Sequence, residues 1–194
     1  MAQTTEIHPF EPFVPPHCRV LMLGTFPPKP NRWRMPFYYP NFQNDMWRIM
    51  GLIWKGNKDY FIDVNKKEFR LDLIKDFCNE IGLGLNDTAA EVIRLKDNAS
   101  DKFLQIVRNV DIDGLLAKAP ECHTLVATGE LAANQISALV GGPTLKVGIP
   151  ETVSYGGRQL TLWRAPSSSR AYPLALEKKA EIYNKILHLN PNNQ

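Results

Sequence analysis

Three short apolar runs, each closed by a glycine or an aspartate, do most to limit what this chain can fold into. They are RVLMLG (19–24), LGLND (83–87) and HTLVATG (123–129). Runs of this length without polar alternation read as strands covered on both faces, as in a parallel sheet. Amphipathic stretches separate them. NDMWRIMGLIW (44–54) reads as a helix with Met46, Trp47, Met50 and Ile53 near one face. KKEFRLDLIKDFCNEIG (66–82) is a clearer one, with Phe69, Leu73, Phe77 and Ile81 inward and Gly82 as its stop. TAAEVIRL (88–95) opens with the capping-box pair Thr88 and Glu91 and reads as a further helix. SDKFLQIVRNVDIDGLLAKAP (100–120) is another amphipathic stretch, and ELAANQISALV (130–140) and LALEKKAEIYNKILHL (174–189) read as helices. YGGRQLTLWRAP (155–166) reads as a Gly-Gly hairpin feeding a fourth strand. The opening HPFEPFVPP (8–16) is proline-rich and extended, laid over the surface.

Strands alternating with helices predict an α/β fold: a three-layer α/β/α sandwich around a mainly parallel four-stranded sheet. A chain of 194 residues suits one domain, with an extended segment over 1–18 and a core over about 19–188. In such sheets ligands bind outside the carboxyl ends of the strands, where the two richest loops begin.

Composition removes several classes of function. Cys18, Cys78 and Cys122 are odd in number, far apart and in no CxxC spacing, which argues against a disulfide framework, a zinc site or an iron–sulfur cluster. The first residues lack the basic start and long apolar run of a signal peptide. No apolar stretch approaches the roughly 20 residues that a membrane span needs. A cytoplasmic protein is expected, with no metal, no cofactor and no membrane partner, acting as a monomer. The net charge of +3 permits nucleic-acid binding without demanding it.

The first candidate site is the loop from Gly24 to Asp45, which carries five prolines between residues 25 and 43. A loop this long in a compact domain is usually functional. Gly24 lets a ligand approach the backbone. Phe26, Phe37, Tyr38 and Tyr39 offer faces on which a base could stack, worth roughly 1–3 kcal/mol each in nucleic-acid sites. Asn44 carries a donor and an acceptor, which suits an imide or amide edge. From spacing alone a plainer account is open: Asn44 caps the helix, Asp45 favours its positive end, and the aromatics fill the core. The second candidate is APSSSRAYP (165–173). Ser167, Ser168 and Ser169 could hold a phosphodiester by neutral hydrogen bonds, and Arg170 adds a charge or a wedge. A helix-capping serine loop would look the same. Lys29, Arg32 and Arg34 could form a basic rim. Asp87 could meet a ligand, but NDTAAE is explained as a cap. His17 and His123 have no third ligand at metal spacing. There is no P-loop, GxSxG or GxGxxG.

Taken together, these motifs resemble the uracil-DNA glycosylase superfamily, especially its mismatch-specific and hypoxanthine-type branches. RVLMLGTFPP is similar to the first motif, a strand ending in G-[ST]-x-P or G-I-N-P. YYPNFQNDMWRIMG is similar to the branch signature Y-Y-A-H-P-R-N-x-F-W-R-I, with Tyr38, Tyr39, Asn44, Trp47 and Arg48 at matching places. GLGLNDTA resembles the G-I-x-L-x-D strand end, and APSSSRA the P-S-x-x-S loop. The matches run in the family's order over residues 15 to 188. The resemblance implies a base-flipping hydrolase that cuts the N-glycosidic bond of a deaminated base, uracil or hypoxanthine, without a metal. Its partner would be DNA containing a damaged or mismatched base. It implies Asn44 as the catalytic polar residue, with Asp45 as an alternative base. Tyr39 and Phe26 would border the base, and the backbone of Gly24 and Thr25 would bind its carbonyl. Ser167 to Ser169 and Arg170 would hold the DNA. Many members place Asp or Asn directly after the first strand, where this chain has Thr25 and Phe26. That departure motivates the alternative of a catalytically silent member that binds nucleic acid or a nucleobase.

Overall fold

The computed structural model describes residues 4–96 and 101–188. The chain runs β1 (Thr5–Ile7), β2 (Val20–Gly24), α1 (Met46–Lys55), β3 (Ile62–Asp63), β4 (Glu68–Phe69) and α2 (Leu71–Ile81). It continues through β5 (Leu83–Asp87), β6 (Ala89–Arg94), β7 (Leu104–Asn109), α3 (Ile112–Lys118) and β8 (Thr124–Thr128). It ends with α4 (Glu130–Val140), β9 (Glu151–Tyr155), β10 (Arg158–Ala165) and α5 (Leu176–His188). The central sheet has five strands in the order β5-β2-β8-β10-β9. The first four are parallel and are the four expected strands; β9 joins antiparallel to β10 as the other arm of the hairpin.

Every residue of β2, β5 and β8 is buried, as strands covered on both faces must be. The pleat divides them between two cores. Val20, Met22, Leu83, Leu85 and Val126 face α1, α2 and α5, while Leu21, Leu23, Leu125 and Ala127 face α3 and α4. These are the three expected layers. In α1 Met46, Trp47 and Met50 are buried as the spacing predicts. In α2 the inward set is Ile74, Phe77 and Cys78, whereas Leu73 is 36% exposed and Phe69 lies ahead of the helix in β4. The helix starts later than the periodicity suggests, and its buried stripe runs through Ile74, Phe77 and Cys78 with Ile81 packed beside it. Gly82 ends it at φ 66, the left-handed cap that glycine accepts without strain.

TAAEVIRL is a strand, β6, and the expected helix there is corrected. It pairs with β1 on one side and β7 on the other, in a separate three-stranded antiparallel sheet. No capping box forms among the described residues, and the Thr88 hydroxyl is buried with no partner among them. Val92 and Ile93 favour extended backbone, and the pairing Thr5↔Ile93 draws on a partner far off in sequence. The stretch after residue 100 likewise divides into β7 and α3. Ser100 itself lies outside the described residues.

The proline-rich opening is a strap rather than a surface layer. Phe13 exchanges backbone hydrogen bonds with Leu85, at 3.0 and 2.8 Å. The side chain of His8 is 9% exposed. All three cysteines are buried and free. No helix among the described residues is long and apolar enough to cross a membrane.

Candidate active site

The parallel ladder aligns the carboxyl ends of β2, β5 and β8. Gly24 stands beside Asp87, and Leu23 beside Ala127, one residue before Thr128. Above these ends opens a cavity of about 1060 Å³. It lies at the upper end of the volumes of small-molecule pockets. The two loops singled out in the sequence meet across it. Asn44 and Ser169 form a bridge. The Asp45 N–H donates to the Ser168 carbonyl at 2.8 Å, and the Arg170 N–H to the Gln43 carbonyl at 3.2 Å.

Gly24, Thr25, Phe26, Tyr39, Asn44, Ser167, Ser168, Ser169 and Arg170 all line this cavity. The carbonyls of Gly24 and Thr25 are committed to the fold, accepting from Thr88 and Ala89 at 2.9 and 3.1 Å. The N–H groups of Thr25 and Phe26 have no acceptor among the described residues. The Thr25 hydroxyl is also committed, donating to Asp101 at 2.8 Å.

Tyr39 has φ 55, a left-handed conformation that a bulky side chain adopts only when its surroundings impose it. Here they do. The Tyr38 carbonyl accepts the Trp47 indole N–H at 3.1 Å, and the Tyr38 hydroxyl is bound to Glu11 and Asn86 at 3.0 and 2.9 Å. The Tyr39 hydroxyl lies 3.1 Å from that of Thr128. Burial, then the charge of Asp87, pushes it well above the ordinary tyrosine range, so it stays neutral.

Asn44 accepts the Met46 N–H through its side-chain oxygen at 2.9 Å, so part of the capping account is real. Its amide nitrogen has no partner among the described residues. Asp45 does not line the cavity. Its Oδ1 meets Arg170 at 2.8 Å and Arg48 at 3.7 Å, and its Oδ2 lies 3.9 Å from Lys179. Lys179, on α5, is 1% exposed and donates to the Ser169 carbonyl at 2.7 Å. Ser168 is buried beneath the loop. Ser167 and Ser169 accept N–H groups two residues on, at 3.3 and 3.2 Å, which shapes the turn. Of the basic rim, Arg32 reaches the cavity, whereas Lys29 and Arg34 do not line it.

Two groups that sequence reasoning passed over also belong here. Asp87 lines the cavity, and its Oδ2 lies 2.8 Å from His8 Nε2. A Cβ on Gly24 would stand 2.4 Å from Asp87 Oδ1, so glycine makes room for this carboxylate. Asp101 lines the cavity too, and burial raises its carboxyl even though the Thr25 hydroxyl opposes this. The strand-ending Asp in LGLND did raise Asp87 as a possible ligand contact, which the reading of NDTAAE as a cap then set aside. His8 gives no local signal, since it lies 79 residues away in the chain.

Burial alone would lower the His8 pKa, but the hydrogen bond and charge of Asp87, with the Phe10 carbonyl, raise it above 6.5 overall. The imidazolium donates from both nitrogens, to Asp87 and to the Phe10 carbonyl at 2.9 Å; the neutral ring can instead accept the Phe10 N–H at 3.2 Å. The folded state therefore holds its proton longer than the unfolded state. This stabilisation is full below pH 6.5 and is lost as pH rises through the folded value. Melting temperatures of wild type and His8→Gln are expected to differ most at acidic pH and to converge above that value. A gap that is constant with pH would show that the pair is not linked to folding.

No family model and no curated protein matches the sequence. Among solved structures, the chain is similar to the solution NMR structure of a candidate uracil DNA glycosylase from Methanosarcina acetivorans. The two share 19% identity at a TM-score of 0.60, over 95% of this chain and 99% of that one. At that identity the likeness is one of fold.

Proposed function

We propose that this chain is a monofunctional DNA glycosylase that flips a deaminated base, uracil or hypoxanthine, into the cavity and hydrolyses its N-glycosidic bond. The observation that carries this reading is the convergence, on one cavity, of unspent donors from separate parts of the long loop. These are the N–H groups of Thr25 and Phe26 and the amide nitrogen of Asn44. Such donors suit the carbonyl of a base that leaves with negative charge, and stabilising the departing base addresses most of the barrier. Phe26 and Tyr39 border the base and Asn44 donates to its carbonyl. Ser167 and Ser169 hold the flanking phosphates, and Arg170, fixed by Asp45, braces the vacated stack. Three cations around the single carboxylate of Asp45 leave positive charge behind the serine loop, where DNA backbone would lie. The shared fold with a candidate uracil DNA glycosylase agrees with this reading.

The test is single-turnover base release from duplexes carrying uracil, hypoxanthine, xanthine or mismatched thymine. Release of uracil or hypoxanthine is expected, leaving abasic sites whose strand breaks only after alkali. Binding without release from any of the four would replace this reading with that of a silent binding protein. The commitment of the Thr25 hydroxyl to Asp101, with no carboxylate on the loop beside it, favours that second reading.

A further inference from the structure

We propose that Asp87, held by His8, is the group that takes the proton from the attacking water; this rests on the glycosylase reading of the same cavity. The loop after β2 offers the cavity no carboxylate: Thr25 and Phe26 follow Gly24, the Thr25 hydroxyl is spent, and Asp45 does not line it. The parallel ladder supplies one from the neighbouring strand instead, because Asp87 is the register partner of Gly24. Its Oδ2 is engaged by His8, which fixes the carboxylate. Its Oδ1 accepts no hydrogen bond among the described residues and occupies the space that a side chain on Gly24 would fill. A largely buried carboxylate oxygen left open on a cavity is costly unless a ligand or water uses it.

The other carboxylates near the cavity are less suited. Asp101 already accepts the Thr25 hydroxyl, and Glu130 has a side chain 72% exposed and paired with Arg164 at 3.5 Å. Asp45 faces three cations away from the cavity lining.

The step balances without a further reactant. A water O–H bond breaks as its proton moves to Asp87 Oδ1, and the water oxygen bonds to C1′ of the flipped nucleotide. The C1′–N bond breaks and its electron pair leaves with the base. The base gains a proton from solvent, and Asp87 returns its own. His8 is a positioning residue that also sets the charge beside Asp87. It faces Asp87 from β5 and Glu11 on its own segment, with the Tyr38 ring stacked at 6.0 Å. The charge of Asp87 in turn helps to raise the carboxyl of Asp101 and the hydroxyl of Tyr39. The His8 charge lies beside the reacting carboxylate, so the rate is expected to change over the range above 6.5 in which His8 loses its proton.

The experiment compares Asp87→Asn, Asp87→Ala and His8→Gln with wild type on whichever deaminated base wild type releases. Binding to a duplex carrying a tetrahydrofuran abasic analogue serves as the folding and docking control. D87N is expected to release base about 100-fold more slowly, the scale of a lost general base, with DNA binding unchanged. D87A is expected to recover rate when sodium formate supplies a small carboxylate. H8Q is expected to lose less rate than D87N and to lose the part of the pH profile above 6.5 that follows the His8 proton. Wild-type rate in D87N, or a D87A variant that binds DNA but is untouched by formate, would overturn the proposal alone. A wild type that releases no base would overturn the glycosylase reading and this proposal with it.

Discussion

Replacing Asn44 with alanine is expected to slow single-turnover base release by about 100-fold or more, the loss seen when one preorganised donor is taken from a transition state. The Asn44 amide nitrogen is without a partner among the described residues, on a residue whose oxygen is held by the Met46 N–H. That single bond orients the amide, so the free nitrogen faces its task without having to be ordered during the reaction. Losing the bond removes a local cap, worth about 1 kcal/mol. Asn44→Ala should therefore unfold close to wild type in urea while its catalysis collapses. Base release within a few-fold of wild type would remove Asn44 from the chemistry and leave it a capping residue.

The second large effect falls on stability. Asp45→Asn is expected to destabilise the fold by about 3–5 kcal/mol, the range for breaking a buried ion pair and stranding its partners. Asp45 is the acidic partner of Arg48 and Lys179, whose side chains are 9% and 1% exposed, and of the more open Arg170. Burial already lowers the pKa of Lys179 and of Arg48, and Arg170 lowers both further; Asp45 opposes this. Without that carboxylate the two buried cations lose the acidic partner they share at the junction of the loops. A urea denaturation series measures the loss. A shift below about 1 kcal/mol would mean that water or a rearranged side chain already compensates these charges, and the junction would not be the fixed support proposed for Arg170.

How much could be read locally varied from one element to the next. RVLMLG, LGLND and HTLVATG announced their burial because a strand covered on both faces has no polar alternation to confuse the reading. TAAEVIRL misled because Thr88 and Glu91 stand at capping spacing, and only the partners β1 and β7 make extended backbone the lower-energy choice. The same error hid Asp87, since a residue explained as part of a cap asks for no other task. Asp45 sits where a helix start expects an acid, yet its partners Arg170 and Lys179 come from the far end of the chain.

The four parallel strands, the three layers and the two long loops at the sheet's carboxyl edge were legible in the sequence itself, through short-range pattern, whereas the order of the strands in the sheet came from pairing between distant segments. Apolar periodicity and loop composition are properties of neighbouring residues, and burial acts on them directly. The tertiary structure alone decided which groups remain free to act. It committed the Thr25 hydroxyl to Asp101 and Asp45 to three cations, and it brought His8 to Asp87 across 79 residues. Hydrogen bonds and ion pairs between distant segments depend on where the chain returns in space, which no local pattern records.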